Sequence, residues 1–194
     1  MLRERKKAAT MHRIQEVAID LFEEHGFDAV TIEQIAHDAE VSPSTVYRYF
    51  GTKENIALRD EHDEQFMAAV GQLLRDHDVF TAIETGLQAI SPEHFERDLE
   101  LTKRRTRLWF EVPSIRAASY LQVDALIEQA VELYGQTPSA ELSQEQFRVL
   151  TSAVAWALVA AIRGWYEAGM EEPMLDVFER AVATLRRAGT PPAR

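Results

Sequence analysis

The 194-residue chain contains no cysteine, which excludes disulfides, thiol catalysis and cysteine-ligated zinc or iron–sulfur centres. Its six histidines are scattered, and there is no HExxH pattern, no glycine-rich phosphate loop and no serine-centred elbow, so an enzyme is not expected. His62-Asp63 and Asp76-His77-Asp78 carry metal-binding side-chain types, but such runs at helix ends are ordinarily solvated. Neither a metal nor a cofactor is expected. Long apolar runs are also missing: Val149 to Ile162, the least polar stretch, is about five residues short of a membrane span and reads as a buried helix. Arg3, Arg5, Lys6 and Lys7 lead into an amphipathic segment rather than the apolar core of a signal peptide, and a cytoplasmic location is expected. Strand-like alternation is scarce throughout, which predicts an all-α fold.

Apolar residues at 46% suffice to build a core, and charged residues at 27% are ordinary for a globular chain. The net charge of −11 is unevenly placed. Residues 1–59 hold 8 Lys and Arg against 10 Asp and Glu, whereas residues 60–194 hold 13 against 22. Within the first part, residues 1–13 carry five basic side chains and one acid. Screening over about 8–10 Å makes this local sign, rather than the total, the quantity that governs contact with a phosphate backbone.

The punctuation of the chain predicts its helices. A first helix runs from about Thr10 to His25 and stops at Gly26. Thr31 and Gln34 form a capping box for a second, with Ile32, Ile35, Ala36 and Ala39 facing inward. Ser42 caps a short third helix that begins with Pro43, where the missing N–H costs nothing, and ends at Phe50. Thr52 caps a fourth, starting at Lys53 and running past Phe66 to Leu74. Further on, Ser91-Pro92 opens a helix, Pro113 breaks it and Ser114 restarts it. Gly135 to Pro138 is a loop, Ser143 with Gln146 caps a long helix reaching Gly169, and a last helix covers about Met174 to Arg187 before a disordered tail at Gly189–Arg194.

A short helix, a tight turn and a second short helix with a polar, hydroxyl-rich start can place one helix end in the DNA major groove. Val46 and Phe50, four apart, would lock the third helix from behind, leaving Ser44, Thr45, Tyr47, Arg48 and Tyr49 outside. Small hydroxyls meet base edges, tyrosine hydroxyls reach phosphates, and Lys53 adds a cation beside free N–H groups. Spacing alone also fits an ordinary three-helix packing unit with both tyrosines half buried. The run AIDLFEEHG followed by FDAVTIEQIAHDAEVSPSTVYRYFGTKENIAL resembles the DNA-binding domain of TetR/AcrR-type transcriptional regulators over roughly residues 10–58. The resemblance implies that Thr31 and Lys53 hold phosphates, that Tyr47 and Tyr49 straddle the backbone and groove edge, and that Ser42, Pro43, Ser44, Thr45 and Arg48 lie nearest the bases. It places Glu33 near the groove. Glu40 stands where many members have glycine, so a positive φ there would cost about 1 kcal/mol, and Tyr49 stands where relatives often have histidine.

Residues 1–59 therefore read as a three-helix helix-turn-helix domain, and 60–194 as a larger helical bundle for dimerisation and effector binding. The helix from Gln144 has a large face of Phe147, Leu150, Val154, Leu158 and Trp165 and a small one of Ala153, Ala157, Ala160, Ala161 and Gly164. One face suits packing within the subunit and the other a second copy, although the small face could also pack within the chain. Met174, Phe178, Ala181, Val182 and Leu185 of the last helix are expected to supply the other half of a homodimer interface (about 144–187). By analogy with the family, the middle helices would hold an effector, with Trp109, Phe110, Tyr120 and Trp156 as apolar lining and Arg107, Arg116 and Arg163 as anchors. Plain core aromatics and a solvated face for Arg97, Lys103, Arg104, Arg105 and Arg107 are the simpler alternatives. The segment LTKRRTRLWFEVPSIRAAS resembles acyl-CoA-responsive and mycofactocin-type TetR regulators, which makes acyl-CoA or another apolar ligand the implied effector. The whole implies a dimeric repressor released from a palindromic double-stranded operator by a small molecule. The alternative is a helical lipid or acyl-ligand binding protein without DNA binding.

Overall fold

A computed structural model describes residues 2–59, 63–136 and 142–188, with side chains placed for all of these except 2–4, 63–65 and 90–97. Among the described residues there are helices and no strands: α1 Leu2–His25, a 3-10 turn Phe27–Ala29, α2 Ile32–Asp38, α3 Pro43–Phe50, α4 Glu54–Leu58, α5 Asp63–Leu73, α6 Val79–Arg97, α7 Leu99–Glu111, α8 Pro113–Gly135, α9 Gln144–Glu167 and α10 Met174–Ala188. His62, Pro138 and the expected tail at 189–194 lie outside the described residues.

The local caps are where the sequence places them. Gly26, at φ 85°, ends α1. The Thr31 hydroxyl accepts from the Gln34 N–H at 3.2 Å while the Gln34 amide oxygen accepts from the Thr31 N–H at 2.8 Å. Ser143 and Gln146 repeat this at α9, at 3.2 and 2.9 Å. Pro113 opens α8; Thr52 accepts from the Asn55 N–H at 3.3 Å, but α4 starts at Glu54 with Lys53, not Thr52, in the N-cap position.

Several expectations are corrected. α1 starts at Leu2 rather than Thr10, because the stretch before Thr10 has no breaker, and the Thr10 hydroxyl bonds back to the Lys6 carbonyl at 2.8 Å instead of capping. α4 ends at Leu58, with Arg59 extended (φ −80°, ψ 149°), so it does not run on to Leu74; side chains from other helices hold its last carbonyls. α6 begins at Val79, capped by Asp78, and continues through Ser91-Pro92 to Arg97. Proline removes one ladder bond there without ending the helix. α9 is buried on one side only. By length and composition it would pass for a membrane span, but Phe147, Val154 and Trp165 lie in a protein core while Val149, Ala153, Trp156, Ala160 and Gly164 are exposed.

The chain divides into two compact units, Met1–Asp63 with Glu100–Ser119, and Glu64–Leu99 with Tyr120–Arg194. The core of the first joins Ile14, Ala18 and Phe22 of α1 to Ile35, Val46, Phe50 and Ile56 and to Leu108 and Ile115 of α7 and α8. The core of the second joins Val70, Ala82, Val131, Tyr134, Phe147, Val154 and Trp165 to Phe178 and Val182, with Tyr134 stacked on Phe147 at 3.8 Å. Met174, Phe178 and Val182 are thus buried within the second unit, where α10 packs on α9 and α6. That side of α10 is not left over for a second copy, contrary to expectation.

Candidate nucleic-acid interface

α3 is anchored as its spacing requires. Val46 and Phe50 are fully buried, while Ser42, Pro43, Ser44, Tyr47 and Arg48 are exposed and Thr45 and Tyr49 half-buried. Tyr47 retains 50% exposure, and the Arg48 guanidinium lies 4.9 Å from the Tyr49 ring centre. At the entry to the helix the Ser42 hydroxyl lies 2.8 Å from that of Ser44 and 2.9 Å from that of Thr45. Hydroxyl protons rotate at little cost, so this cluster can turn its donors and acceptors toward base edges or phosphates. Thr31 and Glu33 are exposed on the first turn of α2.

The turn between α2 and α3 is a Schellman motif. The Val41 N–H bonds the Ala36 carbonyl at 2.9 Å and the Glu40 N–H bonds that of His37 at 3.1 Å, which puts Glu40 at φ 51°. The positive φ implied by the family's frequent glycine is therefore present despite the side chain. Arg13 partly compensates, with one guanidinium nitrogen 3.5 Å from the Glu40 carboxylate and another donating to its carbonyl at 3.4 Å.

Lys53 departs from the expectation of an open phosphate ligand. Its ammonium donates to the carbonyls of Phe27 at 2.6 Å and Val30 at 2.8 Å and sits 4.3 Å from the Phe27 ring centre. Two of its three protons hold the turn that leads into Thr31. α4 behind it has only five residues and supplies no separate anion site.

The seven residues expected to line an effector pocket fall into two groups, one in each unit. Trp109 stacks on Phe110 at 5.1 Å and donates to Ser119 at 2.7 Å, while Arg116 donates to the Phe110 carbonyl at 3.3 Å; Arg107 is exposed. In the second unit Tyr120 and Trp156 meet edge to face at 5.5 Å on an outer surface, 42% and 41% exposed, and Arg163 is half-buried. Bonds between α7 and α8 engage the polar ends of Trp109 and Arg116. The second unit instead holds a recess of about 300 Å³ whose lining includes Leu74, His77, Asp78, Tyr134 and Leu150, none of which was expected to line a pocket.

Other residues were missed because their partners are far away in sequence. Gln15 is completely buried and bonds α4, a role signalled only by a polar residue inside the Met11, Ile14, Ala18, Phe22 stripe. Arg104 and Arg105 are not a solvated face. Arg104 clasps Glu23 and Asp20 at 2.6 Å each, and its hydrogen bonds to Glu23 foremost raise its pKa above the ordinary arginine value. Arg105 bonds backbone carbonyls of α4.

A buried-backed, polar-fronted α3 after a tight turn defines a helix-turn-helix DNA-binding unit. Comparison with known proteins carries this further. The profile described as bacterial regulatory proteins, tetR family, matches residues 14–59, and that of the MftR C-terminal domain matches residues 77–190. The chain belongs to the TetR family of transcriptional regulators, whose members are not enzymes. It is 39% identical over 92 residues to the HTH-type transcriptional regulator TcmR of Streptomyces glaucescens, a match spanning 46% of this chain and 38% of TcmR. It is 23% identical over 177 residues, 90% of this chain and 87% of the relative, to MftR of Mycobacterium tuberculosis, named for transcriptional regulation of mycofactocin biosynthesis. Among solved structures, NalD of Pseudomonas aeruginosa, the secondary repressor of the MexAB-OprM multidrug efflux pump, shares the fold with a TM-score of 0.52 at 20% identity, over 97% of this chain and 100% of that one.

Proposed function

We propose that the chain is a cytoplasmic, homodimeric repressor that binds a palindromic operator through α3 and leaves it when a small-molecule effector binds. The observation that carries the reading is the sealing of Val46 and Phe50 beneath an outward row of Ser44, Tyr47 and Arg48. In this reading residues 1–59 bind DNA: Ser42 to Thr45 and Arg48 approach bases, Thr31, Tyr47 and Tyr49 contact the backbone, and Glu33 sits at the groove edge. Lys53 acts chiefly by holding Phe27 and Val30, and its charge adds to the local field.

A single short helix reads few bases, so two copies on paired half-sites are needed for specificity. The exposed α9 stripe of Val149, Ala153, Trp156, Ala160 and Gly164 supports a second copy as its cover. Residues 60–194 would house this interface and the effector, with an acyl-CoA or another apolar molecule as the class to test.

The test has two arms. Sedimentation of wild-type protein should give a dimer, and Ala160→Arg a monomer. In gel-shift titrations Tyr47→Ala should bind operator DNA more weakly with unchanged melting. Equal operator affinity for Tyr47→Ala and wild type contradicts the reading.

A further inference from the structure

The last carbonyls of a helix lack intrahelical donors, so whatever supplies those donors decides where the final turn lies. At the end of α3 the donors come from α4 and the residue after it. Asn55 Nδ2 donates to the Phe50 carbonyl at 2.9 Å, and Arg59 Nη1 donates to the Tyr49 carbonyl at 3.2 Å. The end of α4 is held in turn from α1 and α7. Gln15 Nε2 donates to the carbonyls of Ile56 at 2.9 Å and Arg59 at 2.6 Å. Arg105 donates through Nε to the Ala57 carbonyl at 3.0 Å and through Nη2 to that of Arg59 at 2.8 Å.

We infer that Arg105, with Gln15, is a positioning residue for the reading helix: Arg105 grips Arg59, Arg59 grips Tyr49, and a displacement of α7 tilts α3. The inference rests on the DNA-binding reading of α3. Three observations carry it. The extended backbone at Arg59 ends α4, so α4 does not continue as a straight rod; side chains grip its end from the flank. Arg104, one position earlier on α7, clasps Asp20 and Glu23 of α1, so neighbouring guanidiniums tie α7 to two different helices, α1 and α4. The third is Gln15, whose Oε1 is buried and finds no donor among the described residues, so its two carbonyl contacts alone orient the amide. An acceptor left unmet in a core is costly, and holding both carbonyls is what the buried amide achieves here.

The chemistry is specific to arginine. A planar guanidinium reaches two carbonyls with N–H groups in a fixed fork, whereas a lysine ammonium meets them as a single flexible point. Arg105→Lys should therefore restore part of what Arg105→Met removes.

The experiment uses the full-length protein and the variants Arg105→Met, Arg105→Lys and Gln15→Leu. Affinity is measured for operator DNA and for random-sequence duplex at one salt concentration. A misplaced reading helix loses about tenfold or more on the operator while random-sequence binding, carried by phosphate contacts, stays within about twofold. Arg105→Lys should fall between wild type and Arg105→Met. A purely structural role lowers both affinities in the same proportion as folded protein is lost. In the absence of DNA, amide hydrogen exchange at Phe50 and Gly51 should quicken in Arg105→Met before exchange in α1 changes. Equal loss on both DNAs, or unchanged exchange at the end of α3, overturns the inference. If wild-type protein shows no preference for any operator, the DNA-binding reading fails, and the exchange measurement still decides whether Arg105 positions α3.

Discussion

Replacing Lys53 with methionine keeps the aliphatic stem and removes only the ammonium, which distinguishes a staple from a phosphate ligand. The ammonium bonds the carbonyls of Phe27 and Val30 and lies over the Phe27 ring. Hydrogen bonds to a charged group contribute about 1.5–3 kcal/mol each, and a partly exposed cation–π contact about 0.5–1. At full strength these sum to about 3.5–7 kcal/mol, but water can replace part of the contact to carbonyls in a half-buried turn, so a loss of about 2–4 kcal/mol is expected. For a chain of this size that is a fall in melting temperature of about 5–15 °C. Melting is followed by circular dichroism, and operator binding is titrated at several salt concentrations with the fraction of folded protein known. The staple predicts a large melting shift and an unchanged slope of log affinity against log salt. Unchanged melting, with a slope shallower by about one, would return Lys53 to the role of phosphate ligand.

Glu40→Gly relieves about 1–2 kcal/mol of left-handed strain but adds about 0.5–1 of unfolded-chain entropy and gives up an exposed pair with Arg13, so melting should rise slightly, by about 1–2 °C; a fall of several degrees would mean that Arg13 contributes more than a surface pair. Asp78→Ala removes the cap of α6, whose carboxylate accepts from the N–H groups of Phe80 at 3.0 Å and Thr81 at 3.2 Å, and should cost about 1 kcal/mol in chemical denaturation. Desolvation pushes the Asp78 pKa up, but bonds from Thr81 and Phe80 and the nearby Arg186 outweigh it, leaving it below the ordinary value. Its stabilising contribution is therefore complete above about pH 4 and is lost as pH falls through the lower folded value. The difference between wild type and Asp78→Ala should shrink accordingly as pH falls below about 4. Val46→Ala, at a fully buried site, should cost about 2 kcal/mol or more, against less than about 0.5 for the exposed Tyr47→Ala.

What the sequence made legible was local. Thr31 with Gln34, Ser42 with Pro43 and Ser143 with Gln146 act within three residues of each other, so their spacing already states their geometry. Val46 and Phe50 follow from a four-residue period in the same way, and so does the outward row on α3. What stayed hidden depends on partners far along the chain. Lys53 reaches back 23 residues to Val30, Arg105 reaches 46 residues to Arg59, and Arg104 reaches 84 to Asp20, and no local pattern reports such contacts. The break at Arg59 has the same origin, since Gln15 and Arg105 capture its carbonyl. Pro92 misled in the opposite direction, because a strong cap at Asp78 started the helix earlier and one missing bond did not end it. The aromatics Trp109 and Phe110 illustrate a further limit: apolar spacing marks them for burial but does not separate core from pocket.

Footprinting on the DNA flanking the protein's own gene is the decisive measurement of operator binding through α3. Two protected half-sites are expected, about 10 base pairs or a small multiple apart, related by a dyad and lost together in Tyr47→Ala. A folded wild-type dimer that leaves every such sequence unprotected at moderate salt would contradict it.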